Sequence, residues 1–310
     1  MTGPAAGPAG RGDIAAQDRF GQAAMRATDV THAETEPRVA AVMDGMELRA
    51  AAFIVTVYGD VVLPRGGVLW TGTLIDICGR VGISESLVRT AVSRLVAAQR
   101  LRGERAGRRS YYRLDVSARI EFEQAATLLF AADAPARGWQ ILHVPDLTPE
   151  AARRMRMGHM GGQVFIRPDR GQPPPPGALV FHASDTDGPH QVARYWDLTA
   201  IDAAYGDMLA RFGPLEAATR DEALPEAVSL VARLLLVHAY RHVLLRDPRL
   251  PPAALPADWK GQAARALFRA LYLRLSPAAE RHVGDTFLGE EGRLPARTAD
   301  SDARLLSLSG

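Results

Sequence analysis

The spacing of apolar and polar positions changes several times along the chain, and those changes mark its parts. Residues 1–45 show no sustained period. Ala, Gly, Pro and acidic residues dominate there, which predicts a disordered leader with at most a short helix near Gln22–Arg26. The next stretch, ELRAAAFIVTVYGDVV from Glu47, reads two ways. Phe53–Tyr58 is β-branched and aromatic, as in a strand, whereas Leu48, Ala52, Val55 and Val62 sit at helical spacing. The elements that follow need a first helix to close their core, so a helix is predicted.

Pro64-Arg65-Gly66-Gly67 breaks that helix, and Val68-Leu69-Trp70 is a short apolar run suited to a small strand. Thr71 is the predicted N-cap of a second helix ending around Gly79–Gly82, and Ser84 of a third. In the third, Leu87, Val88, Ala91, Val92, Leu95 and Val96 form the predicted apolar face, with Arg89, Thr90, Ser93 and Arg94 on or beside the other. Arg102–Arg109 is then a turn-forming segment with four arginines and one acid, and Ser110–Leu114 returns as a strand. Helix, turn, helix and basic hairpin form the order expected of a winged helix-turn-helix over residues 46–117. One helix enters the major groove and the hairpin grips the backbone.

Beyond it, Val116 to Asp133 reads as a linker helix. Strands are predicted at Trp139–Val144, Gly161–Ile166 and Gly177–His182, with a helix from Thr148 to about Met157 and the proline run Pro173–Pro176 as a turn or stiff spacer. That pattern predicts a small ferredoxin-like unit over 139–194. Residues 195–288 are helical: one helix through Phe212, a largely apolar one from Pro225 to Arg246, and one from an Asp258 cap to Ser276-Pro277. Residues 289–310 lose the pattern and are predicted to fray. The fold class is therefore mainly α with α+β parts.

Composition adds two points. A net charge of +2 is not that of a nucleic-acid binder, yet from Glu47 to Arg119 twelve arginines face six acids, leaving the rest of the chain negative. Lys260 is the only lysine, so phosphate and guanine contacts fall to arginine, whose planar fork suits both. Cys78 is the only cysteine, which excludes an internal disulfide framework and points to a packing role. No run looks long and apolar enough to span a bilayer and no basic-then-apolar leader is visible, so a cytoplasmic protein without membrane contact is expected.

Phe53–Asp60 (FIVTVYGD), Leu87–Leu95 (LVRTAVSRL) and Gly107–Leu114 (GRRSYYRL) together resemble the N-terminal domain of PaaX-type repressors, bacterial regulators of phenylacetic acid catabolism. The run from His238 through Arg241, Arg246-Asp247-Pro248 and Leu255–Trp259 resembles the same family, departing from its pattern at His242, Ala254 and Lys260. The resemblance spans about Leu48 to Ala279. It implies a homodimeric repressor bound to double-stranded operator DNA and released by an aryl-CoA thioester such as phenylacetyl-CoA, with no resident cofactor. The residues expected at DNA are Ser84, Ser86, Arg89, Thr90, Ser93, Arg94, Arg105, Arg108, Arg109 and Tyr112. Those expected at the effector are His238, Tyr240, Arg241, Arg246 and Trp259, with Arg249 and Tyr272 as further contributors.

Other chemistry is sparse. The family's middle domain resembles small metal-dependent nucleases, and Asp146 stands just beyond the first strand where such enzymes carry a catalytic carboxylate. Pro145 beside it and the lack of a second placed acid favour a turn role. His238 and His242 are four apart on one helix, a spacing able to hold zinc. Ala239 stands where the metalloprotease motif needs Glu, so structural histidines are expected. A DNA-binding regulator with no small-molecule effector is the remaining alternative.

Overall fold

Residues 36–131, 134–184 and 186–310 are described by the computed structural model. The expected helix near Gln22–Arg26 lies outside them. The predicted leader ends earlier than expected: Pro37–Met43 forms a helix, α1, with Val39 and Val42 buried. The ambiguous segment is helical. Helix α2 (Ala50–Val57) buries Phe53, Ile54 and Val57, and continues through a π-helical turn at Tyr58–Val62 and a 3₁₀ turn at Leu63–Arg65. Burial, not intrinsic propensity, holds β-branched residues in this helix.

Strand β1 (Val68–Trp70) precedes α3 (Thr71–Gly79) and α4 (Glu85–Ala97), and β2 (Leu101–Ala106) and β3 (Arg109–Leu114) complete an antiparallel sheet in the order β1-β3-β2. Ser84 caps α4 as expected, its hydroxyl accepting from the Leu87 N–H at 3.4 Å. Thr71 is not a cap. It is the first helical residue of α3, and its hydroxyl donates to the Ser110 carbonyl at 2.6 Å, which ties α3 to β3.

Helix α5 (Val116–Phe130), capped by Asp115, leads to a second sheet. Its strands are β4 (Trp139–His143), β5 (Gly158–Gly161), β6 (Val164–Pro168) and β7 (Leu179–Ala183), in the order β5-β6-β4-β7 with every pair antiparallel. Strand β5 has no counterpart in the sequence reading, because Gly-His-Met-Gly carries no β-branched residue. A ferredoxin-like unit has a helix before its last strand. Here the connection from β6 to β7 contains Pro173–Pro176 and no helix, consistent with proline's missing N–H. Helix α6 (Pro149–Arg154) covers one face through Ala152, against Leu142 and Phe165. The other face meets the C-terminal part through Trp139 and Ile166 against Leu198 and Leu250.

That part contains α7 (Pro189–Val192), α8 (Leu198–Asp221), α9 (Glu226–Leu244) and α10 (Gly261–Thr286). Three boundaries differ from expectation. Helix α8 does not end at Phe212 but runs through Pro214 to Asp221. Lys260, not Asp258, precedes α10, and α10 does not stop at Ser276-Pro277. It runs through the proline because Ala279, Glu280 and Val283 beyond it are buried. Helix α9 is long and apolar enough to cross a bilayer, contrary to the sequence reading. Yet 72% of its apolar window is buried inside the fold.

The predicted fraying tail is ordered. A hairpin of β8 (Leu288–Gly289) and β9 (Gly292–Arg293) leads to α11 (Ala299–Ser309), capped by Thr298. Arg304 donates to the carbonyls of Gly59 and Asp60 at 3.0 and 3.1 Å. Arg65 donates to those of Pro295 and Ala296 at 2.8 Å, and Thr298 to that of Pro64 at 2.8 Å. These contacts are long in sequence, so no local pattern announces them.

One continuous apolar cluster runs from Val39 through Phe53, Val88 and Leu235 to Phe268 and Leu308, so the N-terminal and C-terminal parts share a core. Inside it lies a network of four charged side chains. Arg233 pairs with Asp60 at 3.0 Å and Glu280 at 2.5 Å, Arg65 pairs with Glu280, and Tyr272 donates to Asp60 at 2.8 Å. Burial and the neighbouring Arg233 push Arg65 down to about 10, which leaves it charged at neutral pH. Removing one member leaves a buried charge uncompensated. Glu280→Ala is expected to cost about 3–5 kcal/mol in urea unfolding; a loss below about 1 kcal/mol would show the network to be energetically neutral.

Candidate functional site

Four apolar residues, Val88, Ala91, Val92 and Leu95, anchor α4 in the core. Ser86, Thr90 and Ser93 therefore point away from it and are exposed, as are Ser84, Arg89 and Arg94. The polar groups are partly committed already. Arg89 pairs with Glu85 one turn back at 2.6 Å, and the Thr90 hydroxyl donates to the Ser86 carbonyl at 2.9 Å. The Ser84 and Ser86 hydroxyls lie 3.1 Å apart. Leu87 and Val96 do not belong to the buried face: they are 56% and 38% exposed. Periodicity counted them with the core because apolar residues that face solvent or a partner look the same in one dimension. Leu87, on the first turn of α4, is the functional candidate that this reasoning missed. An exposed methyl-bearing side chain there suits a thymine methyl.

The hairpin is built by register. Arg105 pairs with Ser110 and Ala106 with Arg109, leaving Gly107-Arg108 as a two-residue loop with Gly107 at φ +59°. That left-handed first position is the glycine site of a tight hairpin turn. Arg105, Arg108 and Arg109 are exposed at or near the tip. The Arg109 guanidinium stands over the Trp70 ring at 5.1 Å, so β1 steadies the wing. Tyr112 stands apart from the tip. It is half-buried, its ring lies against Gly103, and its carbonyl accepts from the Tyr58 hydroxyl at 3.0 Å. It props the stem. The helix face exposes hydroxyls and arginines and the hairpin tip exposes arginines, groups whose chemistry fits base edges and phosphates.

The residues expected at an effector are divided among three cavities, and only Tyr240, Trp259 and Arg249 share one. Arg241 lines a cavity of about 600 Å³ between α2, the end of α4, α5, α6 and α9. Tyr240, Trp259 and Arg249 line a separate cavity of about 470 Å³ at the start of α10. There Tyr240 is buried and stacks on Phe268 at 4.3 Å, and Trp259 meets Tyr205 edge-on at 5.8 Å. His238 lines a third cavity, beside Arg49 and His242. Arg246 is exposed and donates to the His242 carbonyl of its own helix at 3.1 Å. Tyr272 belongs to the buried charge network. The clustering read from the sequence around residues 238–259 follows chain proximity, whereas α9 spreads those side chains over several faces.

No group of three His, Cys, Asp or Glu among the described residues could hold a metal ion. Asp146 lies in an exposed turn at φ +62°. Burial pushes the Cys78 thiol up to about 12, so it stays protonated. His238 is buried against Phe53, and its Nδ1 lies 3.0 Å from the Thr56 hydroxyl. That hydroxyl donates to the Ala52 carbonyl at 3.2 Å, so Nδ1–H is the donor to Thr56. Burial, with Arg241 and His242 adding repulsion, pushes His238 down to about 4. An unfolded histidine protonates near 6.5. The stability held by neutral His238 is thus complete above about pH 6.5 and lost as pH falls toward 4, because only the unfolded chain takes the proton in that window. Denaturation at pH 7 and pH 4.5 should show a smaller loss for His238→Asn than for the unmodified chain; equal losses would remove His238 as a source.

Comparison with known proteins gives two matching family models, "PaaX-like protein" over residues 49–118 and "PaaX-like protein C-terminal domain" over residues 196–285. The chain is 30% identical over 285 residues to "Transcriptional repressor PaaX" of Escherichia coli (strain K12), covering 82% of this chain and 89% of that protein. Among solved structures, "Uncharacterized protein Rv0674 from Mycobacterium tuberculosis" aligns with 66% of this chain and 88% of its own, at 23% identity and a TM-score of 0.42. The exposed face of α4 and its wing lie in the first matched segment, and identity extends over most of the length; the chain belongs to the PaaX family.

Proposed function

We propose that this protein is a DNA-binding transcriptional repressor that uses residues 46–117 as a winged helix-turn-helix. The observation that carries the reading is the solvent-facing row Ser86, Thr90 and Ser93 on a core-anchored helix, beside a hairpin tip bearing exposed Arg105, Arg108 and Arg109. In this reading α4 reads base edges and the wing holds phosphates, and it works in the cytoplasm on double-stranded operator DNA. The Escherichia coli relative is a transcriptional repressor, which supports the assignment. The four-stranded antiparallel sheet unit of residues 139–194, which lacks the second helix of a ferredoxin-like unit, serves as a spacer, and the helical part over 195–288 as the regulatory and dimerisation unit.

Two further parts of the proposal are separable. The repressor is a homodimer on a palindromic operator, since two short reading elements together supply affinity and half-site spacing. Its release is by linkage: an aryl-CoA thioester such as phenylacetyl-CoA binds the DNA-incompetent conformation more tightly. Light scattering should report a dimer, and a monomer on one asymmetric site would sink that part. If phenylacetyl-CoA leaves operator affinity unchanged, the effector part fails and a regulator without a small-molecule effector replaces it.

The DNA part has its own test. Converting Arg108 and Arg109 to Ala should weaken binding to operator and non-operator duplex alike. The slope of log affinity against log salt should fall by about 2, roughly one for each phosphate that is no longer neutralised. An unchanged slope removes the wing from the interface.

A further inference from the structure

The cavity that contains Arg241 includes two buried donors without acceptors. Arg156 and Arg241 both line it, and the Nη1 group of Arg156 and the Nε group of Arg241 are buried with no hydrogen-bond partner among the described residues. Such groups are costly, and native proteins satisfy most of them. The left-handed backbone of Arg156, φ +61°, is the C-terminal cap of α6, closed by the bonds from the Arg156 N–H to the Arg153 carbonyl and from the Met157 N–H to the Ala152 carbonyl, both 2.9 Å. The cap sets Arg156 at a junction: Arg156 and Leu128 line both this cavity and an adjoining one of about 450 Å³ that is also bordered by Arg167, Arg170 and Arg249.

The charge around Arg156 is lopsided. Burial lowers its proton affinity first, Arg249 and Arg170 push the same way, and Asp247 opposes them. Asp247 is engaged already, accepting from the Tyr205 hydroxyl at 2.7 Å and the Arg249 N–H at 2.6 Å. Arg167 is held by Gln140 at 2.8 Å and the Pro173 carbonyl at 2.8 Å, so it frames the cavity wall. The larger cavity has an apolar part formed by Phe122, Leu129, Phe130 and Val237 and a polar part that includes Arg100, Arg154, Glu121 and Asp60, the two carboxylates being paired already with Arg100 and Arg233. Its volume of about 600 Å³ falls in the range of small-molecule sites.

We propose that the two adjoining cavities form one site for an amphipathic anion, with a phosphate-bearing group on Arg156 at the junction and an apolar group in the larger cavity beside Arg241. Its walls also explain how occupancy reaches DNA. Val55 and Gly59 of the α2 segment, Leu95 of α4, and Arg100 just beyond α4 line the same cavity. A ligand there presses on the base of the helix that carries the exposed polar row. The inference rests on the effector reading for the identity of the ligand, not for the location of the site.

The test uses the full chain, with Arg156→Asn and Arg156→Lys. Asparagine tolerates the left-handed backbone and removes the cation, and lysine restores a cation. Pyrophosphate, coenzyme A and phenylacetyl-CoA are titrated by calorimetry, and operator release is read in parallel. All three ligands are expected to bind the unmodified chain. Arg156→Asn should weaken each roughly 10- to 100-fold, the range for a missing charge-assisted hydrogen bond, and Arg156→Lys should recover part of it. Phenylacetyl-CoA that binds and releases operator equally from Arg156→Asn and the unmodified chain overturns the site and leaves the effector reading standing. Pyrophosphate and coenzyme A that bind through Arg156, while phenylacetyl-CoA has no effect on operator, support the site and remove that effector. Absence of any phosphate binding to the unmodified chain overturns the proposal.

Discussion

The buried ion network of Asp60, Arg65, Arg233 and Glu280 is the constraint on which the arrangement of this protein turns. Two cations and two carboxylates lie inside the shared apolar cluster, where each is tolerable only in the presence of the others. Asp60 and Arg65 come from the segment that follows α2, Arg233 from α9 and Glu280 from α10. The N-terminal segment cannot move away from the C-terminal helices without exposing or stranding charge. The π-helical turn at Tyr58–Val62 belongs to the same constraint. Its Gly59 and Asp60 carbonyls accept from Arg304, which fastens the last helix to the same spot.

This joint has a consequence for the exposed polar face of α4. Helix α4 packs on α2, and α2 packs on α9 through the approach of Thr56 to His238 and the bond from Arg241 to the Ala52 carbonyl at 3.2 Å. Helix α4 thus connects to the helical part through α2, while α3 and β3 add contacts of their own: the Thr73 hydroxyl accepts from the Leu288 N–H at 3.3 Å and Arg113 pairs with Glu290 at 3.0 Å. A cavity at that junction sits where a small displacement bears on both. Packed interfaces of this kind switch between discrete arrangements instead of deforming smoothly.

Much of the exposed polar face of α4 and of the hairpin was legible in the chain because local rules govern it. Ser84 is a cap, Gly107 is the glycine of a two-residue hairpin, and the Val88-Ala91-Val92-Leu95 stripe points the hydroxyls outward. Leu87 and Tyr112 defeated those rules for opposite reasons. The first is apolar yet exposed, and the second is aromatic and polar yet spent on the stem. Composition cannot tell an apolar residue that meets the core from one that meets solvent.

The effector region shows the limit more sharply. Residues 238–259 are neighbours in the chain, but a helix directs successive side chains around its axis, so Tyr240, Arg241 and His238 open into three different cavities. Arg156 and Arg241 share a cavity although a long stretch of chain separates them, and nothing near Arg156 in the chain marks it. The ordered tail is similar, since its contacts to Gly59 and Pro64 reach across most of the chain. Periodicity, caps and turn residues settled which segments are helices and hairpins and where the cations of the wing lie, because those depend on interactions a few residues long. Which helices share a core, which arginines meet, and which apolar groups stay exposed depended on packing between distant segments, where burial and charge pairing outweigh any local preference.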